Sequence, residues 1–184
     1  CQGKNLLIVG VGHIGGEIVD IALGLKMKIK GVDIYPRKKN LLYVPLAKGI
    51  PWADIIVCAL PLTYLTYHML NYDALKHAKK GTIFINIARG EITPLPDLQK
   101  LLNIGILGGL ALDVYEEEGL FAENLRGHQR LFHKNRKITS ALRKKDNVIL
   151  TPHNAFNTKE SLQRKAAQSV ESIVAFLKKK SFPH

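Results

Sequence analysis

One stretch constrains this chain most: residues 6–26, with Asp33 just beyond. Leu6-Leu7-Ile8-Val9 is a continuous apolar run, the pattern of a strand buried on both faces of a parallel sheet. Gly10-Val11-Gly12-His13-Ile14-Gly15 follows directly, then a helical apolar pattern at Ile14, Ile18, Val19, Ala22, Leu23 and Leu25. A second strand over residues 28–32 ends on Asp33. Gly10 suits a tight turn, Gly12 a close backbone approach to a pyrophosphate, and Gly15 close helix–strand packing. The helix N-terminus offers unpaired N–H groups and positive dipole to phosphates. Asp33, 18 residues after Gly15, is spaced to accept hydrogen bonds from an adenosine ribose. A glycine motif alone is weak evidence. With a strand before it, a helix after it and an acid at this distance, it predicts a dinucleotide site.

Apolar runs with strand character recur at residues 41–46, 54–60, 82–86, 106–112 and 147–151. Helical segments are expected at 64–80, from about 94, and at 159–179. Residues 45–52, broken by Pro45, Gly49 and Pro51, read as a loop or short irregular helix. The polar stretch 116–146 is too long for a simple loop and should contain helical pieces. Alternation of this kind predicts an α/β fold of Rossmann type, a doubly wound parallel sheet with helices on both faces.

Composition narrows the partners. The net charge is +12, but the basic clusters at 26–30, 37–39, 76–80, 134–145 and 178–180 are scattered, and aromatics are only 7%. A nucleic-acid binder would gather charge on one face with interleaved aromatics. Solvated surface is the better reading, one that can also draw in anionic ligands. No apolar stretch is long enough to span a bilayer, and the chain enters a strand at once, so neither a membrane partner nor a leader is expected. Cys1 and Cys58 form no disulfide framework. Cys58, inside an apolar run, should pack as a small hydrophobe, and a reducing, cytoplasmic setting follows.

Chemistry in open α/β sheets sits at the strands' C-terminal ends. Arg89, Asp113, the run Glu116-Glu117-Glu118, and His153 all fall there. Each alone reads as ordinary surface or structural polarity; their joint appearance is the informative part. The matching stretches are Gly3-Lys4 with the glycine loop, Ala53-Asp54 through Leu60-Pro61-Leu62-Thr63 with Thr66, and Asn86-Ile87-Ala88-Arg89-Gly90. Ala111-Leu112-Asp113-Val114-Tyr115-Glu116-Glu117-Glu118 and Thr151-Pro152-His153-Asn154-Ala155-Phe156 complete the series. On these residues the chain resembles the cofactor domain of the D-isomer-specific 2-hydroxyacid dehydrogenases, closest to the D-lactate dehydrogenase-like branch. The insertion at about 119–145 is similar to that branch as well.

The resemblance implies an NAD-dependent oxidoreductase acting on a small 2-oxo or D-2-hydroxy acid, without metal, as a homodimer. Arg89 matches the arginine that grips the substrate carboxylate, His153 the acid/base, and Glu118 its partner acid, with Glu116 or Glu117 next in line. Gly10, Gly12, His13, Ile14, Gly15, Asp33, Pro61, Thr66, Ile87, Ala88, Arg89 and Asp113 match cofactor-binding positions. A guanidinium fork suits a planar carboxylate, and histidine moves protons near neutrality. Two departures stand out: His13 replaces the usual Arg or Asn, and Cys58-Ala59 replaces a frequent Leu-His. Residues 1–156 read as the NAD-binding domain and 157–184 as a C-terminal helix returning towards a substrate domain. That domain is largely absent, so the isolated piece should bind NADH without turning over. A non-catalytic NAD sensor or corepressor on the same fold is the alternative.

Overall fold

The computed structural model describes residues 1–116, 133–154 and 156–180. The chain divides into two compact units, residues 1–152 and 153–184.

The first unit is built on a parallel sheet. Its strands are β1 (Asn5–Val9), β2 (Lys28–Val32), β3 (Leu42–Tyr43), β4 (Ile55–Cys58), β5 (Thr82–Asn86), β6 (Leu107–Leu112) and β7 (Val148–Leu150). Among the described residues they form one seven-stranded sheet in the order β3-β2-β1-β4-β5-β6-β7, every pairing parallel. Strand β1 lies between β2 and β4, with Val9 opposite Val32 on one side and Cys58 on the other. Parallel neighbours need crossovers, and here the direction of winding reverses at β1. That reversal is the switch point where open α/β sheets leave a crevice.

The apolar run of β1 is continuous because both faces are covered. Leu6 and Ile8 join Val19 and Ala22 of helix α1 (His13–Gly24) on one face. Leu7 and Val9 join the larger core on the other, with Ile56, Phe84, Leu98, Leu101 and Leu110. That core takes in helix α4 (Leu95–Asn103) and helix α5 (His133–Leu142), through Leu98, Leu101, Ile138 and Leu142. Burial of Cys58 is complete and pushes its thiol up to about 11, so it behaves as a small hydrophobe, as expected. No helix among the described residues is long and apolar enough to cross a membrane.

Three expectations need correction. Residues 64–80 are not one helix. Turns run to residue 70, and α3 (Tyr72–Leu75) is a single turn, started by Asn71, whose side chain accepts from the Ala74 N–H. The backbone bonds go elsewhere: His68 N–H donates to Glu91 O and Leu70 N–H to Ile92 O, while His68 sits at φ 50°. The strand foreseen at 41–46 shrinks to Leu42–Tyr43, because Leu46–Gly49 turns into helix α2, followed by a 3₁₀ turn at Ile50–Trp52. On α1 the buried face is Gly15, Val19 and Ala22, whereas Ile14, Leu23 and Leu25 are exposed. Within the expected insertion, α5 supplies a helical piece, and residues 117–132 lie outside the described residues.

The second unit is dominated by α6 (Lys159–Lys179), capped at its start by Thr158 Oγ1, which accepts from the Ser161 N–H. Its end is a left-handed residue, Lys180.

Candidate functional site

The carboxyl ends of β1, β2, β4, β5 and β6 carry the polar residues named above. Gly10, at φ +97°, turns the chain out of β1, and a Cβ there would stand 2.7 Å from the Ala59 backbone. A Cβ on Gly15 would collide with the Gly10 carbonyl, so helix and turn meet only as glycines. Gly12 is the N-cap of α1, and no side chain caps the helix. Space beside its Cα is open, so backbone N–H groups are reachable by a phosphate. Asp33 closes the turn: Oδ2 accepts from the Val11 N–H (2.7 Å) and Oδ1 from the Tyr35 N–H (2.8 Å). His13 and Ile14 are exposed at the helix start. An uncapped helix start beside an open glycine cradle, with a carboxylate at the end of β2, fits a dinucleotide.

After β4 the loop holds its own shape. Thr66 Oγ1 donates to Pro61 O (2.7 Å) and accepts from the Thr63 N–H (2.8 Å). Pro61 is exposed and Thr66 half-buried.

After β5 the chain passes through Ile87, Ala88 and Arg89. The Arg89 side chain is exposed, and its Nη1 donates to Ala88 O (2.6 Å). Beneath it lies Asn86, fully buried, whose amide donates to Arg89 O (2.9 Å) and Thr93 Oγ1 (3.0 Å) and accepts from the Ala88 N–H (2.9 Å). A Cβ on Gly90 would strike the Tyr115–Glu116 backbone, so the loop after β5 lies directly on the loop after β6.

That second loop starts with Asp113, only 7% exposed, whose N–H donates to Asn86 O and whose Oδ1 accepts from Thr151 Oγ1 (2.6 Å). Glu116 is engaged on both oxygens. His68 Nε2 lies 2.9 Å from Oε1, and the Leu95 N–H donates to Oε2 (3.1 Å). Glu116 therefore ties three loops together. Glu117 and Glu118 lie outside the described residues.

His153 belongs to the second unit and is half-buried at φ 48°. Its ring meets that of Phe156 edge-on at 5.9 Å, and Lys165 Nζ sits 4.7 Å from the Phe156 ring centre. No cluster of three metal-binding side chains occurs among the described residues.

Sequence reasoning gave no separate role to Asn86, Thr93, His68 or Thr151. A signal existed for Asn86: with Thr82 and Phe84 it falls on the buried face of β5, where an unpaired amide would be costly. The His68–Glu116 pair has none, because 48 residues separate the partners.

Residues 1–155 match the family described as D-isomer specific 2-hydroxyacid dehydrogenase, NAD binding domain. The chain is 35% identical to a D-lactate dehydrogenase of Lactiplantibacillus plantarum, over 92% of this chain and 52% of that protein. It is also 35% identical to a glyoxylate reductase of Pyrococcus horikoshii, over 95% of this chain and 48% of that protein. The solved D-lactate dehydrogenase from Aquifex aeolicus, complexed with NAD and lactic acid, superposes with a TM-score of 0.87 at 31% identity. That match covers 95% of this chain and 54% of the other. The chain thus spans about half the length of the curated relatives it matches. Glycine loop, Asp33 and strand order agree with this likeness at every level, and the chain belongs to the D-isomer-specific 2-hydroxyacid dehydrogenases, in which it is the NAD-binding domain.

Proposed function

We propose that this domain serves an enzyme interconverting a 2-oxo acid and a D-2-hydroxy acid. One observation carries the reading: Arg89 stands exposed on a loop laid directly against the β6 loop that begins at Asp113. The names of the relatives, D-lactate dehydrogenase and glyoxylate reductase, support the substrate class.

In this reading Gly10, Gly12, His13, Ile14 and Gly15 receive the pyrophosphate, and Asp33 takes the adenosine ribose. Pro61, Thr66, Ile87, Ala88 and Asp113 line the path towards the nicotinamide. Bound NAD(H) supplies or accepts the hydride. Arg89 holds the substrate carboxylate with its planar fork and polarises the C2 carbonyl. His153 gives a proton to the carbonyl oxygen in reduction and takes it back in oxidation, with Glu118 favouring its charged form. Residues 1–156 act as the cofactor domain, and 157–184 lead back to a substrate domain. The assembled enzyme is a cytoplasmic homodimer.

The test is a panel of small 2-oxo acids, with NADH, on the full-length protein that contains this chain. Turnover is expected. Arg89→Lys should raise KM for the oxo acid strongly and leave NADH binding nearly unchanged. His153→Ala should lower kcat by roughly 10²–10⁴, the usual worth of one positioned acid/base. Full-length protein that binds NADH and turns over no 2-oxo acid would instead favour a sensor on this fold.

A further inference from the structure

Resting on the reading of Arg89 as the carboxylate clamp, we infer that Asn86, braced by Thr93, is the positioning residue that sets the aim of Arg89. The arrangement is local and complete. Asn86 ends β5 with its side chain turned into the protein, 0% exposed. Its carbonyl oxygen accepts from the Ala88 N–H, and its amide nitrogen donates to the Arg89 carbonyl and to Thr93 Oγ1. Both faces of the amide are thereby satisfied, leaving one rotamer and one orientation. The Ile87–Ala88 peptide unit is pinned through its N–H and the Arg89–Gly90 unit through its C=O, so the chain is held on either side of the Ala88–Arg89 pair. From such a base the Cα–Cβ bond of Arg89 leaves in a set direction, and Nη1 is held by Ala88 O.

The same residue reaches the next strand. Asn86 O accepts from the Asp113 N–H, so the arginine loop and the start of the β6 loop hang from one residue. Thr93, 3% exposed, fixes the far side of the turn, its N–H donating to Gly90 O. Arg89 is thus steered from behind by an uncharged, buried pair that touches neither substrate nor cofactor. Misplacing a clamp by a fraction of an ångström weakens substrate alignment without disturbing the fold at large.

The chemistry dictates the variants. Asn86→Asp keeps the shape but removes both amide donors and turns an oxygen towards the Arg89 carbonyl. Thr93→Val keeps the volume and removes the hydroxyl; Thr93→Ser restores it. All are made in the full-length protein with a 2-oxo acid and NADH. Asn86→Asp is expected to raise KM for the oxo acid at least about tenfold while KM for NADH moves less than about threefold, the signature of a lost substrate interaction. Thr93→Val should shift the oxo-acid KM in the same direction by about three- to tenfold, and Thr93→Ser should recover it. In an Arg89→Lys background Asn86→Asp should add little, because two residues acting through one clamp are not additive. Should Asn86→Asp fail to fold, the Thr93 pair and its combination with Arg89→Lys decide the matter. Loss of kcat with an unchanged oxo-acid KM, or full additivity with Arg89→Lys, would mark a purely structural role and overturn the inference. Wild-type protein without 2-oxo-acid turnover would overturn the functional reading first, and this inference with it.

Discussion

At Asp33 both carboxylate oxygens already hold backbone N–H groups, those of Val11 in the glycine loop and Tyr35 beyond β2. A carboxylate retains further lone pairs, so the ribose hydroxyls can be added to a loop whose shape is fixed beforehand. Its charge repels a 2′-phosphate. Among the basic residues that follow it, Lys38 is bound to Asp20 Oδ2 at 2.6 Å. NADH should therefore bind more tightly than NADPH, by about tenfold or more, the worth of roughly one charge-assisted hydrogen bond. Asp33→Asn should narrow the gap by weakening NADH binding. Fluorescence titration of both cofactors checks this, and equal affinities for the wild type would refute it. The glycine loop and Asp33 were legible in the sequence because phosphate and ribose recognition is written in consecutive or closely spaced residues. Glu116 was not: its partners, His68 and the Leu95 N–H, are chosen by the meeting of three loops, and no local pattern announces them.

Strands of this sheet announce themselves because burial on both faces removes the alternation that blurs half-exposed strands. Residues 6–9 and 55–58 are of this kind. Segment 64–80 misleads for the opposite reason. Its composition suits a helix, but His68 and Leu70 lend their N–H groups to Glu91 and Ile92, and a tertiary pairing overrides local propensity. Helix α6 was legible in full, Lys159–Lys179, since a long amphipathic run is a local signal. Its apolar residues Val170, Ile173, Val174 and Leu177 are 60%, 57%, 41% and 63% exposed. A continuous apolar stripe of that sort seeks a partner. The 184-residue chain made alone should self-associate with rising concentration in sedimentation velocity. Val170→Lys with Leu177→Lys should return it to a monomer. Association unchanged by that pair would place the contact elsewhere.

On the scale of the whole sheet, the amino ends of the central strands, opposite the site, are pinned by Asp54. Its Oδ2 accepts from the Asn5 N–H at the start of β1 (2.8 Å), and its Oδ1 from Lys79 Nζ ahead of β5 (2.7 Å). The Lys79 bond first, and the Asn5 N–H next, hold the Asp54 carboxyl below its ordinary value of 3.8. A lowered carboxylate value stabilises the fold above the unfolded-state value and ceases to do so as pH falls through the folded one. Asp54→Asn should therefore lower stability at neutral pH and flatten its decline below about pH 4, as read by urea unfolding across that range. An acid limb as steep as the wild type's would assign that decline to other carboxylates. The strand order has one more consequence, for synthesis. With β1 made first and flanked by β2 and β4, a sheet centred on β1 exists in outline once Cys58 has left the ribosome. From there β5, β6 and β7 join one by one at the same growing edge, and among the described residues no strand has to be inserted between two already paired. A pause with the chain emerged past residue 58 but not yet to residue 82 would hold out a template whose open rim, Ile55–Cys58, is almost wholly apolar.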